Sequence, residues 1–185
     1  MHAIDRAIEA NGLSNAVVFI ADGWRARLIA RLSAIGARPF TAHKIVEYYD
    51  ACRIQQLLDA AERSSGSVAE RSRTVFTALD RAPRAVAVPG MAIADQLSFE
   101  PGRPLAPECT AELATAVSNG ADYVRYLPRN AVDRDGRLAG DVVYARDFGA
   151  RNALLRARFA DRAWYRASVT RVDGRLQARL EPIPH

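Results

Sequence analysis

One stretch, Gly140–Arg166 (GDVVYARDFGARNALLRARFADRAWYR), constrains the fold of this 185-residue chain more than any other. Val142, Val143 and Tyr144 form a short apolar run that Asp147-Phe148-Gly149 breaks. Leu154, Leu155 and Phe159 then recur at helical spacing, and Trp164-Tyr165 opens a second β-rich run. Strand, tight turn, helix and strand in so few residues make a βαβ-like unit. Such a unit pairs its strands in parallel and needs helices to cover the sheet.

The same organisation stands near the start. Ala3–Ala10 reads as a short helix stopped by Asn11-Gly12, and Ala16–Ile20 (AVVFI) as a fully buried parallel strand. Asp22-Gly23 closes the strand; Trp24, Leu28, Leu32 and Ile35 follow at helical spacing up to Gly36. A helical middle section covers about 41–81. Thr41 is placed to cap its first helix and Asp50 the second, which carries Ile54, Leu57, Leu58 and Ala61 on one face. Ser67-x-x-Glu70 has capping-box spacing ahead of Val75, Phe76 and Leu79.

Arg84–Val88 reads as a second buried strand and Phe99–Pro107 as a proline-rich loop. Pro107 suits the first position of a helix that ends at Asn119-Gly120. Ala121–Leu127 is a further strand candidate and Pro128–Gly140 a polar loop. Asp173-Gly174, between two alternating runs, signals a type I′ hairpin. The expectation is one α/β domain over 1–185: a mixed, mostly parallel sheet with helices packed on it and a C-terminal β-hairpin.

Composition narrows the function classes. The chain is 49% hydrophobic and 25% charged, which is globular. No run reaches the ~18 apolar residues of a membrane span, and Asp5 and Glu9 stand where a signal peptide carries positive charge. As given, the chain reads as soluble and untargeted. The net charge is +5, yet Met1–Gly120 is neutral, and the whole excess lies in Ala121–His185. That asymmetry fits an anionic partner or a basic solvated face. Lys44 is the only lysine among 26 basic residues; the arginine bias, beside abundant alanine, reads as codon usage.

Two aspartates stand just past strand carboxyl ends, where α/β sheets hold ligands: Asp22 and Asp147. With Trp24, Arg146, Arg151 and Asn152 they form the candidate ligand site; helix capping and turn roles are the alternative. Asp133-x-Asp135 has the spacing of a divalent-cation motif and is equally good turn chemistry, so it is only a weak metal candidate. Asp147-Phe148-Gly149 spells a kinase magnesium motif, but the rest of the kinase set is missing. Arg151, Arg156, Arg158, Arg162 and Arg166, with Trp164 and Tyr165, could form a phosphate face. Helical spacing spreads the first three, and nucleic acid is disfavoured. No cofactor motif is present, and no catalytic residue stands out. Cys52 and Cys109, on the residues alone, read as buried thiols.

Several blocks resemble a known family. VVYARDFGARNALLRARFADRAWYR, with its aspartate-x-glycine turn and its ending Phe159-x-Asp161-Arg162-x-x-Tyr165-Arg166, resembles the closing segment of soluble domains that follow the membrane spans in bacterial polytopic glycosyltransferases of the dolichyl-phosphate-mannose-transferase type. LAPECTAEL resembles the segment before that ending; NAVVFIADGWRARLIARLSAIG and YYDACRIQQLLDAA are similar to the front of such domains. The resemblance implies an extracytoplasmic α/β accessory domain without catalytic activity of its own. Its partners would be membrane-embedded transferase segments or a glycan or lipid-linked sugar. It also makes Cys52 and Cys109 disulfide candidates, since oxidising compartments permit bridging. The alternative is a free-standing small α/β enzyme or ligand binder that uses Asp22 and Asp147.

Overall fold

The structure, a computed structural model, describes every residue except 1–2, 92–95, 120–129, 136, 156 and 185. It is mixed α/β, as the sequence implies. Contacts divide it into two compact units, Met1–Asp22 with Asp122–His185, and Gly23–Ala121. The second is helical and is inserted in sequence just after the first strand of the other. It is longer than the middle section read from periodicity, because Trp24–Ala34 and Pro107–Asn119 belong to it.

The sheet unit holds α1 (Ala3–Ala10), β1 (Ala16–Ile20), β4 (Val142–Arg146), a 3₁₀ helix (Gly149–Leu155), β5 (Ala163–Val172) and β6 (Arg175–Pro182). Strand order is β4-β1-β5-β6, with β1 parallel to both neighbours and β5–β6 antiparallel. All five residues of β1 are buried, so neither face could tolerate a polar residue, which explains the unbroken AVVFI run. Val18 and Ile20 pack with Ile4, Ile8 and Ala167 beneath α1. Val17 and Phe19 pack on the opposite face with Val143, Phe159 and Trp164. Asp173 (φ 49°) and Gly174 (φ 75°) both take the left-handed conformation that the two-residue hairpin turn requires. The free edge of β4 is covered by Asn130, whose amide donates to the Tyr144 carbonyl at 2.9 Å and accepts from its N–H at 2.7 Å.

The helical unit holds α2 (Trp24–Ala34), α3 (Pro39–Tyr48), α4 (Ala51–Arg63), α5 (Val68–Asp80), α6 (Pro107–Asn119) and a small antiparallel pair, β2 (Val86–Ala87) with β3 (Ser98–Phe99). Leu28, Leu32, Val46, Ile54, Leu58, Val75 and Leu79 form its core. Arg31, 8% exposed, reaches from α2 to Asp59 at 2.6 Å and Glu62 at 3.0 Å on α4, so its charge is matched where it is buried. Cys52 and Cys109 are joined by a disulfide that ties the first turn of α4 to the first turn of α6.

Three expectations change, and one cannot be placed. Arg84–Val88 is no buried core strand: only Val86–Ala87 is extended, it is exposed, and it pairs with β3 outside the main sheet. Thr41 does not cap α3; Pro39 occupies its first turn and moves the start back to Arg38. The segment after Asp147 is a short 3₁₀ helix and not an α-helix, and Leu154 is 82% exposed while Phe159 is buried. The strand expected over 121–127 lies outside the described residues.

Candidate functional site at the carboxyl edge of the parallel strands

Parallel pairing brings the carboxyl ends of β1, β4 and β5 together. Ile20 stands opposite Arg146 on one side and Ala167 on the other. The backbone continues that alignment one residue further: Asp147 N–H donates to the Ile20 carbonyl at 2.9 Å, and Ala21 N–H to the Ala167 carbonyl at 3.1 Å. Asp22 and Asp147 therefore end up at one edge of the sheet because β1 and β4 run side by side in the same direction, although 125 positions separate them in sequence.

Each aspartate meets an arginine. Asp22, with 7% of its side chain exposed, forms an ion pair with Arg146. Asp147, 12% exposed, accepts from Arg166 Nε at 2.6 Å and from Asn152 Nδ2 at 2.8 Å. Asn152 in turn accepts from Phe148 N–H at 2.9 Å, so its amide orientation is fixed from both ends. Arg146 shares the parity of Val142 and Tyr144, on the face that α1 covers, while Arg166 shares that of Trp164 on the other face. The two ion pairs accordingly belong to opposite faces of the sheet. Burial lowers the Arg146 pKa from its ordinary value. On the α1 face, Tyr144 donates to Asp5 at 3.1 Å, and burial followed by the Asp5 charge pushes its hydroxyl up to about 12.

Of the residues read from sequence, Asp22, Arg146, Asp147 and Asn152 are brought to this edge. Trp24 belongs to the helical unit, where it is 2% exposed, donates to Gln55 Oε1 at 2.6 Å and packs on Phe99. The Arg151 side chain lies outside the described residues. Arg166 was grouped in sequence with other arginines, not with this edge; its signal was the parallel pairing of β5 with β1, which places it opposite Phe19. The row of arginines is spread out: Arg162 donates to the Gly140 and Asp141 carbonyls at the opposite end of the strands. Trp164 is 3% exposed against Phe159 and Phe19, so it offers no open ring for base stacking.

Asp133 folds on itself, its Oδ1 accepting from the Asp135 N–H at 2.9 Å and the Arg137 N–H at 2.8 Å. That is the turn reading of the Asp133-x-Asp135 motif. Among the described residues no group of three acidic, histidine or cysteine side chains is arranged to hold a metal ion. Chemically, the sheet edge holds two carboxylates, each against its own guanidinium, and one amide that orients Asp147. Comparison with protein-family models, with curated proteins and with solved structures finds no match.

Proposed function

We propose that this chain is a non-catalytic accessory domain of a membrane glycosyltransferase system, working on the extracytoplasmic face and contacting its partner protein or a lipid-linked sugar. The observation that carries the reading is the Cys52–Cys109 disulfide inside the helical core, both residues at most 2% exposed. Disulfides persist in oxidising compartments and are rare in the cytosol. The paired state of Asp22 and Asp147 also supports it: both carboxylates are engaged by arginines from their own sheet, a structural use of charge. The location of that pair at a parallel-sheet edge favours the second reading, a small-molecule site built on the same residues.

One experiment separates them. Membranes from cells lacking the chain are supplied with wild type or with Asp22→Asn and Asp147→Asn variants, and sugar transfer from a polyprenyl-phosphate-linked donor is measured. The accessory reading expects transfer to fall without the chain and to be restored equally by wild type and by folded variants. Unchanged transfer without the chain removes the reading, and failure of the folded variants to restore it favours the ligand site.

A further inference from the structure

The helical unit leaves an aromatic and cationic surface along α3. Phe40 is 74% exposed, Tyr48 42% and Val86 62%, although the core beneath α3 is fully formed. Phe40, Lys44 and Tyr48 recur at i, i+4 and i+8, on one face. Lys44 Nζ sits 5.9 Å from the Phe40 ring centre and 5.2 Å from that of Tyr48. The Arg84 guanidinium lies 5.3 Å from Tyr48 and 4.8 Å from Tyr49. Ala85 N–H donates to the Tyr48 carbonyl at 2.9 Å, which fixes the Arg84–Val86 segment against the end of α3.

Arg84 is the informative residue. Its guanidinium lies over two tyrosine rings, and among the described residues no side-chain hydrogen bond or ion pair takes its N–H donors. A guanidinium that rests against two rings and keeps its N–H donors for another group suits the paired oxygens of a phosphate. Lys44 donates to Glu47 at 2.8 Å, and that hydrogen bond raises its pKa. Phosphate by itself would leave Phe40 and Val86 in water. A sugar would need open ring faces, and those of Tyr48 are engaged by two cations. An anionic amphiphile uses both halves of the surface: phosphate on Arg84 and Lys44, apolar groups against Phe40 and Val86.

We infer that the α3 surface formed by Phe40, Lys44, Tyr48 and Arg84 docks the chain onto a bilayer that displays anionic phospholipid headgroups. The inference rests on the membrane-associated reading above and supplies the contact that reading requires. Phe40 enters the headgroup layer while the two cations hold phosphates.

The test is co-sedimentation with phosphatidylglycerol and with phosphatidylcholine vesicles, alongside NMR of the full chain methylated with ¹³C at Lys44. As the chain's only lysine, Lys44 gives a single side-chain signal there. Expected are at least tenfold tighter partition onto the anionic vesicles, weakening with salt, and broadening of the Lys44 signal. Arg84→Gln and Phe40→Ser, both at exposed positions, should each lower partition about tenfold with unchanged melting temperature. Equal partition on both vesicle types, no partition, or variants that partition like wild type would overturn the inference. So would a Lys44 shift with inorganic phosphate but none with vesicles, which marks a free-phosphate site. Failure here leaves the glycosyltransferase reading to its own assay; conversely, unchanged sugar transfer in cells lacking the chain leaves vesicle binding standing.

Discussion

At Asp147 a carboxylate largely withdrawn from water meets Arg166 at 2.6 Å and Asn152 at 2.8 Å. Removing its charge leaves Arg166 without its partner, but Arg166 is 47% exposed, so solvent absorbs much of the loss. Asp147→Asn should therefore destabilise the sheet unit by roughly 1–2 kcal/mol, read from urea unfolding. A loss below about 0.3 kcal/mol would mean the pair is only a surface contact. Tyr144 provides a pH signature. Its folded-state pKa of about 12 lies above the ordinary value near 10. Between those values the unfolded chain loses the proton first, so it binds fewer protons than the folded chain and stability falls as pH rises. Below pH ~10 that contribution is fully present. Wild type should lose more of its urea midpoint between pH 9.5 and 11 than Tyr144→Phe does; parallel losses would show that the hydroxyl is not sheltered. The two aspartates were legible in sequence because each follows an apolar run. Arg146 was read with them as the sequence neighbour of Asp147, but its pairing with Asp22 was not, nor was Arg166, because partnership depends on register: Arg166 meets Asp147 only once β5 lies parallel to β1.

The elements that sequence reads best are those with local causes. Ser67 and Glu70 form the reciprocal capping box that starts α5, and Asp50 accepts from Arg53 N–H at 2.7 Å at the start of α4. Asp50 also accepts from Glu100 N–H at 2.8 Å, a contact with no local signature. Because its side chain is 1% exposed, Asp50→Ala leaves two N–H groups without acceptors and should cost roughly 2–4 kcal/mol by chemical denaturation. β2 was misread for the opposite reason. An apolar run of this length fits a core strand or an exposed edge equally well, and only its partner β3 decides. The 3₁₀ segment likewise carries a helical spacing of leucines, yet Asn152 is drawn to Asp147 and the turn tightens there. The disulfide spans 57 positions, so the chain-entropy model assigns it about 4 kcal/mol. A Cys52→Ala, Cys109→Ala double variant should lose stability of that order; a loss under 1 kcal/mol would mean that native packing already holds α4 to α6.

At the scale of the whole chain, fold class was legible and the division into units was not. Ala16–Ile20 and Gly140–Arg166 announce a parallel sheet, but nothing in composition marks Gly23 or Ala121 as a boundary. Boundaries of inserted units follow from where contacts close on themselves, which single-sequence periodicity does not report. The Gly23–Ala121 unit contains its own apolar core and the disulfide. Made as a fragment, it should unfold cooperatively, with a sigmoidal urea transition by circular dichroism; a non-cooperative drift would show that it depends on the sheet unit.

The proposed place of the protein turns on whether Cys52 and Cys109 are paired in the cells that make it. The direct measurement is the number of thiols alkylated on the acid-quenched, denatured chain before and after reduction. The account predicts none before and two after; two free thiols before reduction would contradict it.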